Sequence, residues 1–332
     1  MRVHEDQTRE ILSRNESPDL GFRYSLNPYR GCMHACAYCY ARPTHEYLGF
    51  GAGSDFDTQI VIKPRAAELL TEAFERPSWR GELVVFSGAT DPYQPVEATY
   101  GLTRACLEVC LRYRNPVAII TKAPLIERDV DLLAALSREA QAHVTVSIPF
   151  ISADKARAIE PYVATPQRRL RVIETLARAG IPVGVNVAPL IPGLNDEEIA
   201  PILTAARAAG ASHAGSTMLR LPGSVEEVFT GRLQAALPLR AERVLHRLRE
   251  VRGGQLSDSR FGSRGRGEGV YADVVHRLFR SAAERLGFPT GDEANARFFG
   301  EGAVDGASSG SPPTTFRRPE PARAQLALPG LG

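Results

Sequence analysis

Cys32-Met33-His34-Ala35-Cys36-Ala37-Tyr38-Cys39 is the stretch on which the reading of this chain turns. It places three cysteines at C-x3-C-x2-C spacing within eight residues. The apolar segment Tyr24-Ser25-Leu26-Asn27 and the turn Pro28-Tyr29-Arg30-Gly31 precede it. Thiolates this close in sequence converge on one point only from a loop, and a soft metal centre is the usual reason. Three soft ligands leave a four-site centre one ligand short, and three readings are open. A structural zinc site needs a fourth ligand and often a second cysteine pair; the chain has no second C-x2-C, and His34 is the neighbouring alternative. A cluster held by four cysteines needs one more, yet Cys106 and Cys110 are remote and sit in a helical stretch. The third reading is a four-iron cluster with three cysteine ligands and one open iron.

Outward from the loop, strand and helix patterns alternate. Residues 24–27 read as the first strand and 60–62 as a short strand-like run. Pro64 then opens a helix, a position proline tolerates, with Ala66, Leu69, Leu70 and Phe74 on one face. Strands are expected at 83–86, 117–120, 144–147, 183–187 and 216–219, and helices at 98–113, 130–136, 170–179 and from Asn195 to 209. Gly180 and Gly210 close two of these helices, as left-handed C-caps do. Continuous Val/Ile runs alternating with amphipathic helices mean parallel strands covered by helices. About six such units are fewer than the eight of a closed barrel. The fold class is therefore α/β, a partial (β/α)6 TIM-like barrel. Ligands in such sheets bind at the carboxyl ends of the strands, where the cysteine loop lies.

The composition is that of a soluble globular protein. Of 332 residues 43% are apolar and 23% charged, and the net charge is +2. A balance that small does not by itself argue for nucleic-acid binding. The amino terminus, MRVHEDQTRE, is charged, and no apolar run approaches the ~18 residues of a membrane span. Five cysteines, three of them clustered, do not form a secreted disulfide framework. A cytoplasmic location with no membrane partner is the expectation. Four segments are expected: an extension over 1–23, a core over 24–222, helices over 223–299 and a disordered tail over 300–332.

C-x3-C-x2-C with an aromatic before its last cysteine, placed after the first strand of a β/α chain, resembles the radical S-adenosylmethionine (SAM) superfamily. The local text from Asn27 to Ala41 resembles a narrower branch: uncharacterised bacterial proteins similar to spore photoproduct lyase, a DNA-repair enzyme. The resemblance implies that Cys32, Cys36 and Cys39 ligate three irons of a [4Fe-4S] cluster, and that SAM chelates the fourth. One electron then cleaves SAM, and the 5′-deoxyadenosyl radical abstracts hydrogen from a substrate. Tyr38 would lie against the adenine. Ser87-Gly88-Ala89-Thr90-Asp91 matches the glycine-rich motif that binds the methionyl amine, with Thr90 and Asp91 as acceptors and Gly88 allowing close backbone approach. Lys122 would pair with the methionyl carboxylate and Ser147 would meet the ribose or methionyl group. Asn186, with the turn from Ala188 to Gly193, would pack on the adenine. A reductant such as flavodoxin or ferredoxin is implied. Each residue also has an ordinary reading: Lys122 and Ser147 as plain strand-end residues, Asp91 as a turn former before Pro92, Cys106 and Cys110 as core residues, and His34 and His45 as non-ligands. Arg42 would balance cluster charge.

The narrower resemblance departs at one point. Spore photoproduct lyase carries a hydrogen-donating cysteine just before the aspartate of this segment, and here Gly88, Ala89 and Thr90 stand there. A different lesion or a different substrate follows. Tyr93 and Tyr100 are weighed as radical relays against core or stacking roles. DNA stays in view through Arg240, Arg243, Arg247, Arg249, Arg252, Arg260, Arg264 and Arg266, a density that suits phosphate contacts or a solvated helix face. The tail Gln325-Leu326-Ala327-Leu328-Pro329-Gly330-Leu331 resembles the peptides that dock bacterial repair proteins on the DNA sliding clamp. RNA, peptide or small-molecule substrates are the second expectation. A non-catalytic cysteine-cluster metal-binding module is the third.

Overall fold

The computed structural model describes residues 1–289 and 314–320. The chain opens with β1 (Arg2–Glu5), β2 (Leu12–Arg14), β3 (Tyr24–Leu26) and β4 (Tyr29–Arg30). The cysteine loop follows, then α1 (Pro43–Glu46), α2 (Asp55–Thr58) and β5 (Gln59–Ile62). Helix and strand next alternate through α3 (Ala66–Glu75), β6 (Val84–Phe86), α4 (Glu97–Tyr100), α5 (Leu102–Arg112), β7 (Val117–Thr121), α6 (Val130–Glu139) and β8 (Ala142–Ser147). The series continues with α7 (Ala153–Ile159), α8 (Pro166–Arg178), β9 (Val183–Leu190), α9 (Ile199–Ala208) and β10 (His213–Met218). Three helices come last: α10 (Val225–Ala236), α11 (Pro238–Glu250) and α12 (Val270–Arg285).

Among the described residues the main sheet has seven strands in the order β10-β9-β8-β7-β6-β3-β2. All neighbours run parallel except β2, which is antiparallel to β3. The six parallel strands are the expected units, and the sheet does not close on itself. Val84, Val85 and Phe86 of β6 are fully buried, as are Val117, Val144 and Val185 on its neighbours, which is why these strands read as unbroken apolar runs. Helix α3 buries Ala66, Leu69, Leu70, Ala73 and Phe74 on one face, as its spacing predicts. Cys106 and Cys110 are buried core residues.

Four differences from the sequence reading have local causes. The polar lead-in over 1–23 contains two strands. β1 joins a small second sheet, β1-β5-β4, and β2 caps an edge; both are short and half-exposed, so neither carries a period-two apolar signal. The helix expected over 98–113 is broken at Gly101, whose φ is +63°, into α4 and α5. Helix α7 was not foreseen; the Ser152 side chain caps it, accepting from the Lys155 amide at 3.3 Å. Asn195 does not cap α9. Its fully buried amide accepts from the Ile191 N–H (2.7 Å) and donates to the Pro149 and Pro189 carbonyls (2.7 and 2.9 Å), fixing the turn after β9.

The expectation of disorder throughout 300–332 does not hold for residues 314–320. Phe316 packs on Phe74 and Tyr113, with ring centroids 5.8 and 6.1 Å away. Arg318 donates to the carbonyls of Phe74 in the last turn of α3 and of Arg76 just beyond it (3.1 and 2.7 Å). An aromatic and an arginine inside a Gly/Ser/Pro-rich text supply contacts that composition alone hides.

Candidate active site

The chain leaves β3 at the carboxyl end of the parallel strands and turns into the cysteine loop. Gly31 makes that turn possible. Its φ is +74°, and a Cβ there would lie 2.8 Å from the Phe56 carbonyl oxygen. The loop is pinned largely through its backbone, and none of its three cysteines is bridged to another. The Cys32 amide donates to the Phe56 carbonyl (2.8 Å) and the Ala37 amide to the Ile159 carbonyl (3.0 Å). Arg42 donates from Nε and Nη2 to the Cys36 carbonyl (both 3.1 Å) and from Nη1 to the Ala52 and Gly53 carbonyls (2.7 and 2.8 Å). Its role is thus a mechanical tie, beyond the charge balance expected of it. Gln94, fully buried, accepts from the Met33 amide and donates to the Gly31 carbonyl, both at 3.0 Å.

Cys32 and Cys36 are buried, Cys39 is partly so, and none is bridged. Burial, with the neighbouring charge of Cys32, pushes the Cys39 thiol up to about 11. Burial and Glu160 hold Cys36 well above the ordinary thiol range, while Lys122 pulls the other way. Among the described residues no three His, Cys, Asp or Glu side chains are gathered to enclose a single metal ion. His34, the alternative fourth zinc ligand, is engaged elsewhere. Its Nδ1 lies 3.4 Å from Asp91 Oδ2. Burial lowers the His34 basicity, but Cys32 and Asp91 outweigh it and raise the imidazole to about 10.

The ends of the neighbouring strands complete the pocket. β6 runs out into Ser87-Gly88-Ala89-Thr90-Asp91, and Gly88 has φ +111°, a conformation that L side chains rarely adopt. Asn27, just past β3, holds this segment: its Oδ1 accepts from the Ala89 amide (2.9 Å) and the Thr90 amide (3.4 Å). Thr90 Oγ1 is buried and has no hydrogen-bond partner. A buried hydroxyl left dry costs ~1–3 kcal/mol, so an unmet acceptor or donor for a ligand stands here. Asp91 differs from expectation. Oδ1 accepts from the Thr121 hydroxyl (2.6 Å) and the Tyr93 amide (2.9 Å), Oδ2 from the Lys122 amide (2.7 Å), with His34 beside it. Burial alone would raise its carboxyl, but these partners, His34 foremost, lower it to about 2. Both oxygens are spent on joining β6, β7 and the cysteine loop, so Asp91 organises the pocket and leaves the free oxygen to Thr90.

Tyr38 also differs. Its hydroxyl donates to Glu160, which is paired with Arg169 in a wholly buried link. Arg169 also donates to the Ser147 carbonyl (2.9 Å). The chain Tyr38–Glu160–Arg169–Ser147 therefore ties the cysteine loop to the end of β8. The Lys122 ammonium stands 5.8 Å from the centroid of the Tyr38 ring, at the end of β7 where the sequence places it. Ser147, buried, and Asn186, half-buried, are register partners on β8 and β9. Tyr93 is a core residue, 1% exposed, and Tyr100 lies on the surface at 41%.

The matched family is the radical SAM superfamily, whose family model covers residues 26–206. The chain belongs to the radical SAM superfamily. The cofactors of that family are a [4Fe-4S] cluster and SAM, and three unbridged thiols, two buried and one partly so, with an unpartnered buried hydroxyl at the same end of the sheet fit that pair. An uncharacterized protein of Mycobacterium tuberculosis is 41% identical over 221 residues, which are 66% of this chain and 65% of that protein. An uncharacterized protein of Methanocaldococcus jannaschii is 30% identical over 54% of this chain and 64% of its own length. A radical SAM Nalpha-GlyT isomerase of Pseudomonas phage M6 is 23% identical over 63% of this chain and 42% of the phage protein. Among solved structures, a spore photoproduct lyase complexed with dinucleoside spore photoproduct superposes with a TM-score of 0.59 at 16% identity, over 86% of this chain and 78% of that one. That likeness is one of fold. No helix of the described residues is long and apolar enough to cross a membrane.

Proposed function

We propose that this chain is a radical SAM enzyme that abstracts hydrogen from a nucleic-acid substrate, a DNA lesion first. The observation that carries the radical chemistry is the unpartnered, buried Thr90 hydroxyl at the strand ends beside three unbridged cysteines. When bound, the cluster supplies the electron that cleaves SAM to the 5′-deoxyadenosyl radical. Cys32, Cys36 and Cys39 are the residues to hold the cluster. Thr90 accepts a hydrogen bond from the methionyl ammonium, and the Gly88 backbone admits the ligand. Lys122 meets the methionyl carboxylate. Ser147 and Asn186, side by side on β8 and β9, take the ribose and adenine side, and Tyr38 is held in place by Glu160. The buried members of this set, Cys32, Cys36, Tyr38, Thr90 and Ser147, help keep water from a reactive radical.

The substrate reading draws on the arginine-rich segment after α11 and on the relatives. One relative is named an isomerase and a fold neighbour a lyase; hydrogen abstraction is a step that suits both reaction types. No cysteine stands before Asp91, so the hydrogen is returned by another group than the cysteine that spore photoproduct lyase uses. A flavodoxin or ferredoxin is the expected electron donor. The clamp-docking expectation for Gln325–Leu331 lies outside the described residues; four residues of sequence separate it from Glu320, the last described residue.

The test offers irradiated DNA, undamaged DNA and RNA to the anaerobic, reduced enzyme with SAM, each substrate deuterated at its sugar and base carbons. Deuterium appearing in 5′-deoxyadenosine only with irradiated DNA supports the reading. Deuterium from none of the three, with SAM cleaved all the same, moves the substrate to a peptide or small molecule.

A further inference from the structure

Outside the barrel, the loop after α11 and the first three turns of α12 enclose an open groove of about 880 Å³. Its walls carry Arg260, Arg266, Arg277 and Arg280 against Glu268 and Asp273. Arg260 is spent on Asp258 and Glu268. The side chains of Arg266, Arg277 and Arg280 have no hydrogen-bond or ion-pair partner among the described residues, and all three are exposed. An arginine triad in a groove whose carboxylates are Glu268, already paired with Arg260, and Asp273 keeps positive charge in excess and is an anion site in search of an anion.

Two further features specify the anion. The amino terminus of α12, a helix of 16 residues with no side-chain cap, forms part of the wall, and free helix-terminal N–H groups favour phosphate. Phe261, 61% exposed, lies on the same rim with the Arg264 guanidinium stacked 4.2 Å from its ring centroid. Arginines in a row beside an exposed, propped aromatic match a phosphodiester backbone with a base to stack.

The groove is also tied to the barrel mouth. The Gly265 carbonyl accepts from the Met218 amide at the end of β10 (2.9 Å). Arg252 bridges the Ser263 and Leu219 carbonyls (3.1 and 2.5 Å), and Arg264 is paired with Asp19. Since β10 runs parallel to the other core strands, its carboxyl end lies on the side of the sheet that bears the cysteine loop. The next residue outward, Arg220, has a buried Nε–H without an acceptor.

We propose that Arg266, Arg277 and Arg280, with the α12 terminus and Phe261, form a phosphodiester-binding groove that presents a nucleic acid to the barrel mouth. This rests on the nucleic-acid reading above. Of the eight arginines that the sequence offered, Arg252 and Arg264 prove to be structural ties, whereas Arg277 and Arg280 were not among them.

The test measures binding of labelled single-stranded DNA, duplex DNA and RNA to the full-length reconstituted enzyme by fluorescence anisotropy across a salt series. Wild type is compared with Arg266→Ala/Arg277→Ala/Arg280→Ala and with a control triple on α6 and α8, Arg138→Ala/Arg171→Ala/Arg178→Ala. Substrate-free 5′-deoxyadenosine formation is read in all three. The groove triple is expected to bind at least about tenfold more weakly at moderate salt, with a log–log salt slope shallower by about 2–3, close to one per lost phosphate contact. The control triple keeps both values, and the basal SAM cleavage is unchanged throughout. The single variant Arg280→Glu, at an exposed helix position, gives the same sign of effect should the triple fold poorly. Groove-triple binding equal to wild type overturns the groove and leaves the radical SAM reading standing, as does an equal loss in both triples. A wild type that binds none of the three probes overturns the groove and the nucleic-acid substrate together; absence of 5′-deoxyadenosine would instead strike the radical SAM reading.

Discussion

Thr90→Val separates a ligand-binding hydroxyl from a structural one. Thr90 Oγ1 is buried without a partner, and its backbone amide is held by Asn27 at 3.4 Å. Valine has nearly the same shape and keeps the backbone contact, so only the hydroxyl is removed. In cluster-free protein that removal relieves an unsatisfied polar group, a gain of about 1–2 kcal/mol, and the melting temperature should rise by ~2–6 °C. In the reconstituted enzyme the same change deletes a hydrogen bond to a charged ammonium, worth about 1.5–3 kcal/mol, so SAM should bind roughly 10–150-fold more weakly. Iron content should stay at the wild-type level. Thr90→Ser should restore SAM affinity. Scanning fluorimetry without SAM and equilibrium dialysis with it read the two effects. A Thr90→Val protein that melts lower, or that binds SAM as wild type does, would refute the assignment of this hydroxyl to the ligand.

Gln94→Ala strands the Met33 N–H and the Gly31 carbonyl, at about 1–3 kcal/mol each if both stay dry; iron retention after anaerobic reconstitution should fall well below that of a variant equally destabilised elsewhere, and equal retention would contradict a clasp role. Gly81→Ala puts a Cβ 2.2 Å from that of Phe316 on a backbone with φ +79°, and Phe316→Ala removes ~1–2 kcal/mol of apolar burial; either should speed tryptic cleavage after Arg317 without altering the core melt, and unchanged cleavage would count against docking of this segment. Burial, with Arg30 adding to it, holds the Lys63 ammonium down at about 8. The unfolded chain then binds more protons than the folded one between about pH 8 and its ordinary value of 10.5, so stability rises with pH across that window. Lys63→Met should stabilise the protein at pH 7 by about 2–3 kcal/mol and flatten that rise relative to wild type; a parallel rise in the variant would show that Lys63 is not its cause.

What the sequence disclosed follows from how locally each feature is encoded. The C-x3-C-x2-C loop, its place after the first strand of the parallel set and the Val/Ile-rich runs of β6 to β9 are short-range patterns, and all were legible. So was Gly88, because its neighbours identify the segment. The ties that shape the pocket were not. Gln94 reaches back more than sixty residues to the cysteine loop, Glu160 meets Tyr38 across the barrel, and His34 pairs with Asp91 only once β3 and β6 are adjacent. No spacing rule reports such contacts. Asp91 reads as a ligand because an acid at a strand end resembles one; the structure gives it four protein-side neighbours. The lead-in strands β1 and β2 were missed since edge strands half in water lack alternation, and the docked residues 314–320 since one phenylalanine and two arginines do not alter a segment's composition.

The proposed chemistry requires the three cysteines to hold a cluster that cleaves SAM. Its most direct test is anaerobic reconstitution of wild type and of Cys32→Ala/Cys36→Ala/Cys39→Ala with iron and sulfide, followed by reduction, addition of SAM and quantitation of 5′-deoxyadenosine. Wild type should bind iron and sulfide in equal amounts, show the broad visible absorbance of an iron–sulfur centre and form 5′-deoxyadenosine, and the triple variant should do none of these while remaining folded. Zinc in place of iron with no 5′-deoxyadenosine from wild type, or the same yield from the triple variant, would contradict it.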